Sequence, residues 1–307
     1  MGRLVVINNP NAKLNSVCAD RYERLAAVLG DEGQIYQTRV PEEIQPIADK
    51  LVRQDIEILA VCGGDGTLHH TLTAFIRAWG GEFPPVLLPL KGGAMNTIYK
   101  SVGCKYGAEQ NLSGIIEKRK RGEPLEIARR NILNVSGRYA FLFGNGIGAN
   151  ILDHYYKGPY DGVRQALHTA FDVITAPIFR TADYERLYGR LQIEGSIDGA
   201  PVEFRDMLAV IMGTVRDVGI GARPFYRAEE KEGMFQAIFM GFGTMQAVAN
   251  AFQLFRARPF KGLVKDELCR RATIRSETPF RYFLDGEIYK DSCLEVSLGP
   301  TIRVIKR

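Results

Sequence analysis

The most constraining feature of the sequence is a short apolar run that ends at a cluster of glycines. Residues 56–62 read IEILAVC, the sequence GGDGT follows at 63–67, and an amphipathic helical pattern begins directly behind it. A short apolar run bounded by glycine is typical of a buried strand. The segment therefore predicts a strand, a tight turn and a helix, with an acid inside the turn.

The first third of the chain repeats this alternation of strand and helix. Strands are predicted at 3–8, 34–39, 56–62 and 85–89, and helices at 16–29, at 41–53 and after Thr67. Strands separated by helices of this length form a parallel sheet covered on both faces. The pattern predicts a parallel α/β domain at the N-terminus.

After about residue 122 the pattern changes to short strands of antiparallel type, with candidate helices at 163–176 and 245–256. We therefore predict an α/β plus β fold. The α/β domain spans 1–122, and a final strand near 300–307 is a candidate to return to it. A β-rich domain with a few helices spans 123–299.

Composition is that of a soluble globular protein. The chain of 307 residues is 46% hydrophobic and 24% charged, and its net charge of +5 does not call for a nucleic-acid partner. The five cysteines show no CxxC pair, which predicts reduced thiols in a cytoplasm. Adjacent His69 and His70 would point to different faces of a helix, so no structural metal is expected.

Three loops are expected at one edge of the parallel sheet. NNPNAK (8–13), GGDGT (63–67) and KGGAMNT (91–97) each follow a predicted strand. Because the carboxyl ends of parallel strands meet at the same edge, these loops should converge there. Glycine amides and a helix N-terminus together bind phosphate. Lys13 and Lys91 are either phosphate ligands or solvated loop lysines.

Asp65 is the unusual member of its loop, because a carboxylate repels phosphate. It would suit a proton acceptor, a Mg²⁺ ligand or a ribose ligand. The alternative is a structural role as the cap of the helix that it begins.

These loops resemble those of the diacylglycerol kinase catalytic-domain family, which includes bacterial lipid kinases and the sphingosine and ceramide kinases. The resemblance continues through residues 218–240, with the step Glu232–Gly233, and through FLDGEIY at 283–289. It implies an N-terminal nucleotide domain related to NAD kinases and phosphofructokinases, and a C-terminal β-sandwich. It also implies a cleft between them, where ATP meets a lipid hydroxyl.

The resemblance assigns expected roles to individual residues. The implied ATP-binding residues are Asn9, Pro10, Gly63, Gly64, Gly66, Thr67, Gly92, Gly93, Asn96 and Thr97. The implied catalytic acids are Asp65, Asp285 and Glu287, and which of them acts as the base stays open. Mg²⁺ is expected to arrive with ATP, with Asp65 as a candidate ligand. Without the resemblance, Asp285 would be assigned to a hairpin turn, since Asp-Gly between apolar runs is a strong hairpin signal.

The sequence departs from the family at one point. Ala94 and Met95 stand where family members commonly carry a Gly-Thr pair, so the lost hydroxyl leaves phosphate contact to backbone amides or to Lys91. This departure keeps open a non-catalytic regulator that binds nucleotide or lipid. An NAD kinase-like enzyme is the other alternative.

The function predicted is that of an ATP- and magnesium-dependent lipid kinase. It would transfer the γ-phosphate to a hydroxyl of diacylglycerol or a related lipid, in the cytoplasm and peripheral to the inner membrane face. The basic run 118–121 and the segment 255–265 are candidate membrane contacts, although cations also favour a helix C-terminus. The acceptor lipid and the oligomeric state, a homodimer included, stay open.

Overall fold

The structure is a computed structural model that describes residues 3–160, 162–218 and 221–306. The chain divides into two compact units, Met1–Ile132 with Gly299–Arg307, and Leu133–Leu298. A largely parallel sheet lies in the first unit and a large antiparallel sheet in the second. The α/β plus β fold class expected from the sequence is confirmed.

The sheet of the first unit has six strands in the described part of the chain. They are β1 (Arg3–Asn8), β2 (Gly33–Gln37), β3 (Ile56–Gly63), β4 (Val86–Lys91), β5 (Ile127–Arg130) and β18 (Ile302–Ile305). Their spatial order is β2–β1–β3–β4–β18–β5, and every neighbouring pair is parallel except β18–β5. Strand β5 follows residue 122, yet it joins this sheet by pairing antiparallel with β18, whose residues are more than 170 positions further along the chain. Local pattern alone does not reveal such a partner.

The helices of the first unit connect and cover these strands. They are α1 (Lys13–Ser16), α2 (Arg21–Leu29), α3 (Ile44–Leu51), α4 (Asp65–Ala78), α5 (Thr97–Ser101) and α6 (Ala108–Lys120), with 3-10 turns at Gly30–Glu32 and Pro41–Glu43. The helix predicted at 16–29 begins only at Arg21, and a separate short helix, α1, ends at Ser16. The core packs sheet residues such as Val6 and Ile58 against Leu25, Leu112 and Ile115 of the helices.

The second unit is built on a ten-stranded antiparallel sheet and one additional strand pair in the described residues. The strands are β6 (Leu133–Val135), β7 (Arg138–Ala140), β8 (Leu142–Asn145), β9 (Leu191–Gln192), β10 (Glu194–Ile197), β11 (Ala200–Pro201), β12 (Asp206–Met207), β13 (Ala209–Gly213), β14 (Phe235–Met240), β15 (Val264–Cys269), β16 (Arg271–Leu284) and β17 (Glu287–Leu298). A Cβ added to Gly195 of β10 would lie 2.5 Å from the Phe239 ring of β14. Since β10 and β14 are not neighbours in the sheet, the sheet folds over a shared core, as the two layers of a sandwich do.

Among the residues that the structure describes, four helices lie in the second unit: α7 (Ile147–Lys157), α8 (Gly162–Phe179), α9 (Tyr184–Tyr188) and α10 (Thr244–Arg256). Helix α8 packs against α7, α9 and α10. Across the described residues, no helix combines the length and the apolar character that crossing a bilayer would require.

Candidate nucleotide and phosphoryl-transfer site

Three loops leave the carboxyl ends of β1, β3 and β4, which are neighbours in the sheet. The chain runs from β1 to β2 on one side and continues through β3 and β4 on the other, so the strand order reverses beside β1. Open α/β sheets bind ligands at such a point. Backbone hydrogen bonds connect the loops: the Asn9 backbone amide donates to the Cys62 carbonyl (2.9 Å), and the Gly92 backbone amide donates to the Gly63 carbonyl (3.2 Å).

The two glycine-rich loops pack backbone against backbone. A Cβ added to Gly93 would lie 2.3 Å from the Cα of Gly64, and one added to Gly92 would lie 2.8 Å from the amide nitrogen of Gly63. Real Cβ atoms do not approach so closely. The glycines at these positions are therefore required for the contact between the loops as well as for any ligand.

Asn9 and Thr67 connect the first loop to helix α4. The Asn9 amide group donates from Nδ2 to Thr67 Oγ1 at 2.9 Å, and its Oδ1 accepts from the Asn11 backbone amide at 2.9 Å. Pro10 lies between Asn9 and Asn11 in the loop and is half-buried. Thr67 is buried, and its hydroxyl accepts the hydrogen bond from Asn9 that holds the first loop in place.

The N-terminus of α4 has no side-chain cap. Gly64 occupies the N-cap position and makes no capping hydrogen bond, and Asp65, Gly66 and Thr67 form the first turn. The first-turn amides of a helix have no partner within the helix, and together with the helix dipole they attract an anion. The phosphate role predicted for this turn therefore has the required local geometry.

The carboxylate of Asp65 turns away from its own helix and caps α5. Its Oδ1 accepts from the Thr97 backbone amide at 2.7 Å, and its Oδ2 lies 3.4 Å from the Thr97 hydroxyl. Burial raises the pKa of Asp65, and the backbone hydrogen bonds from Thr97 and Ile98 offset part of that increase. The capping alternative named the wrong helix, because the amide that donates to Asp65 belongs to Thr97, 32 residues away in sequence.

Asn96 braces the second glycine loop. It has a left-handed backbone (φ 51°), its Oδ1 accepts from the Gly93 amide at 2.9 Å, and its Nδ2 donates to the Gly93 carbonyl at 2.5 Å. Both ends of the side chain are thus committed to the loop. In the same loop Lys91 and Ala94 are exposed, and Met95 is half-buried.

Asn15 is a site residue that the sequence analysis missed. It is buried, and its Nδ2 donates to the Asn9 carbonyl (2.8 Å) and to the Cys62 carbonyl (3.2 Å). The amide of the preceding Leu14 donates to the Gly92 carbonyl at 2.8 Å. Asn15 therefore joins the first loop to the end of β3, and its neighbour Leu14 reaches the third loop. An asparagine in a short helix carries no sequence signal for this role.

Asp285 and Glu287 belong to the second unit. Asp285 and Gly286 have φ values of 47° and 98° and join β16 to β17 as a two-residue turn, which is the conformation that the Asp-Gly pair favours. The Asp285 carboxylate is buried and accepts from the backbone amides of Phe141 (3.0 Å) and Leu142 (2.9 Å). Asp285 thus stabilises the turn between β7 and β8. The side chain of Glu287 is half-buried.

The basic run at 118–121 is largely paired with acids. Buried Arg119 contacts Glu57 at 2.8 Å, and Lys120 lies 3.4 Å from Glu32. In the other candidate membrane segment, Phe260 is buried whereas Phe255 is 57% exposed. Gly219 and Ile220 of the 218–240 motif lie outside the described residues.

Together, the fold and the loops define a two-unit protein whose α/β sheet gathers two glycine-rich loops and the loop after β1 at its carboxyl edge. Residues 3–125 match the profile of the diacylglycerol kinase catalytic domain. This match confirms the resemblance to that family over the N-terminal part of the chain. No curated protein matched the chain significantly.

Solved structures share the fold over the whole chain. A diacylglycerol kinase from Bacillus anthracis strain Sterne has a TM-score of 0.66 at 14% identity, covering 100% of this chain and 97% of the other. Two further proteins of that strain, provisionally assigned as diacylglycerol kinases, have TM-scores of 0.71 at 14% and 15% identity. Both alignments cover 100% of this chain, with 95% and 97% of the respective neighbour. At such identity the likeness establishes the fold alone.

Proposed function

We propose that this protein is an ATP- and magnesium-dependent lipid kinase that phosphorylates a hydroxyl of diacylglycerol or a related lipid. One observation carries the proposal: within the matched domain, the N-terminus of α4 is uncapped, because the acid that could cap it caps α5. This leaves first-turn amides beside a glycine turn, the arrangement that binds phosphate groups.

Each loop then has a part in holding the nucleotide. The turn at 63–67 would bind the phosphates through its amides, and the Asn9–Thr67 hydrogen bond would hold the first loop beside it. Asn96 would act indirectly, since its side chain sets the shape of the loop at Gly93. Magnesium, when bound with ATP, neutralises charge that develops on the transferred phosphoryl group.

In the transfer itself, a bond forms between the lipid hydroxyl oxygen and the γ-phosphorus, the bond to the ADP oxygen breaks, and the hydroxyl proton passes to a carboxylate. Asp65 suits proton acceptance or metal binding, because burial raises its pKa above the ordinary value of a carboxyl group and its Oδ2 makes only a long contact at 3.4 Å. Asp285 and Glu287 stay candidates for the base. Positioning and charge neutralisation supply most of the catalysis in this chemistry.

The test is transfer of labelled γ-phosphate from ATP with magnesium in mixed micelles. The acceptor panel is diacylglycerol, monoacylglycerol, phosphatidylglycerol, sphingosine and ceramide, with NAD as a soluble acceptor. A labelled lipid that is absent without magnesium supports the proposal and identifies the acceptor. Label on NAD alone would replace it with the NAD kinase alternative.

A non-catalytic regulator is the rival with structural support. Asp285 accepts hydrogen bonds from two backbone amides, and Asp65 is engaged by the first turn of α5. Both acids therefore have structural reasons to be present without catalysis. ATP binding in a fluorescence titration, together with no label on any acceptor, would favour this rival.

Access to a lipid requires contact with a membrane surface, and α10 offers the side chains for it. Met245, Phe252 and Phe255 are exposed on this helix at 62%, 70% and 57%. Arg256 and Arg258 are exposed at its end. Aromatic residues beside cations suit the interface of an anionic bilayer. We propose peripheral binding through this surface, which sedimentation with anionic and neutral vesicles would test.

A further inference from the structure

Helices α7 and α8 of the second unit bring two histidines and a carboxylate together. Asp172 Oδ2 lies 2.7 Å from His154 Nε2 and 2.9 Å from His168 Nδ1. The donor atoms of all three residues lie within 4.8 Å of one another. In the described part of the chain, these are the histidine, cysteine or acidic side chains whose ligand atoms lie close enough together to hold a metal ion.

The positions of these residues in the fold converge on one point. His168 and Asp172 are four residues apart on α8, so both side chains lie on one face of that helix. His154 comes from α7, which packs against α8. Helix pairs that present ligands on facing sides are a common framework for metal sites.

The hydrogen bonding of the cluster is incomplete. His154 Nε2 forms a hydrogen bond with Asp172, but His168 Nδ1 is buried and makes none, although it lies close to the same oxygen. The His168 ring is held edge-on against Tyr160, with ring centres 5.3 Å apart. A buried polar atom without a hydrogen bond is costly, and a cation between the three groups would supply the missing partner.

We propose that His154, His168 and Asp172 bind a divalent transition metal ion, with Zn²⁺ as the best match. Imidazole nitrogen and carboxylate oxygen are ordinary zinc ligands, and two histidines with one carboxylate leave a fourth position for water. Tetrahedral ligands around zinc are separated by about 3.3 Å. The present separations from Asp172 Oδ2, 2.7 and 2.9 Å, therefore need to widen by only about half an ångström.

The bound ion would clamp α7 to α8. Helix α8 is otherwise tied to α9 by a hydrogen bond from the Tyr188 hydroxyl to the Val173 carbonyl at 2.5 Å. It also carries Phe171 and Phe179, which are 65% and 72% exposed. The metal would therefore order a helix with an exposed apolar surface. The inference is independent of the proposed kinase activity.

The test is calorimetric titration of ZnCl₂ into the full-length, chelator-treated protein in the presence of excess Mg²⁺. We expect one Zn²⁺ per chain and a higher melting temperature for the loaded protein. The variants His154→Gln, His168→Gln and Asp172→Asn should each weaken binding by at least about tenfold. The matched control is Cys293→Ser, which removes an exposed thiol and should leave the affinity unchanged.

A cobalt spectrum of the unmodified protein provides a test that does not depend on the folding of variants. Co²⁺ at this site should show the intense visible bands of tetrahedral coordination without a thiolate charge-transfer band, and Zn²⁺ should displace it. Absence of stoichiometric binding, a thiolate band, or equal Zn²⁺ affinity in all three ligand variants would overturn the proposal.

Discussion

Replacing Gly93 with alanine should disrupt the junction of the two glycine loops. The new Cβ would lie 2.3 Å from Gly64 Cα and 3.0 Å from the Gly64 nitrogen. Carbon atoms in contact are about 3.5–4.0 Å apart, so the loops must separate by more than about 1 Å. Both partners are backbone atoms at the ends of core strands, and neither can rotate away.

The separation has a calculable cost. Overpacking of this kind costs about 1–3 kcal/mol. The hydrogen bond from the Gly92 amide to the Gly63 carbonyl, already 3.2 Å, would be lost as well, at about 1 kcal/mol. The sum is a destabilisation of about 2–4 kcal/mol, which corresponds to a melting temperature lower by about 10 °C for a unit of this size.

Urea and thermal unfolding of Gly93→Ala measure this loss, and Gly64→Ala is the matched comparison. A Cβ on Gly64 would lie 3.4 Å from Gly93 Cα, an ordinary contact on the other side of the same junction. That variant should lose less than about 1 kcal/mol, mainly through a poorer N-cap residue. Equal stability of Gly93→Ala and the unmodified protein would refute the close-packing argument.

Three further substitutions test other parts of the structure. Asp65→Asn should lower phosphoryl transfer by about 100-fold or more with the fold retained. Because burial raises the pKa of Asp65 in the folded state, the carboxyl group ionises more readily in the unfolded chain. The free energy of unfolding should therefore fall as the pH rises above about 4, and urea unfolding of Asp65→Asn at several pH values should not show this decrease. For Asp153, burial raises the pKa, but hydrogen bonds from Arg281 and Lys157 outweigh it and hold the value at about 2. Its stabilising effect is therefore present above about pH 4 and lost toward pH 2, so Asp153→Asn should cost about 2 kcal/mol at pH 7 and little near pH 2 in urea unfolding. Asn15→Ala should cost about 1–3 kcal/mol and weaken ATP binding in a fluorescence titration, because it removes two hydrogen bonds to loop carbonyls.

Specific results would contradict each of these expectations. Unchanged transfer by Asp65→Asn would remove that residue from the chemistry and leave it as the cap of α5. A loss of unfolding free energy in Asp153→Asn that does not vary with pH would mean that packing, and not charge, stabilises the contacts of Asp153 with Arg281 and Lys157. Full ATP affinity in Asn15→Ala would show that the loops keep their arrangement without this residue.

Several features were predictable because they depend on residues close together in the chain. Apolar runs with intervening helical periodicity predict the parallel strands, since each element buries one face or both. The Asp285–Gly286 turn follows from the two positive φ values that a two-residue hairpin needs. The loop residues at 63–67 and 91–97 converge because the ends of parallel strands share an edge.

The sequence by itself thus determined the fold class and the edge of the sheet where the loops meet. Only the tertiary structure decided that Asp65 caps α5, that Asn15 joins the first loop to the end of β3, and that β5 pairs with β18. It also decided that His154 meets Asp172 of another helix. These contacts join segments far apart in the chain, and local periodicity records only which face of each element is buried, not which element covers it.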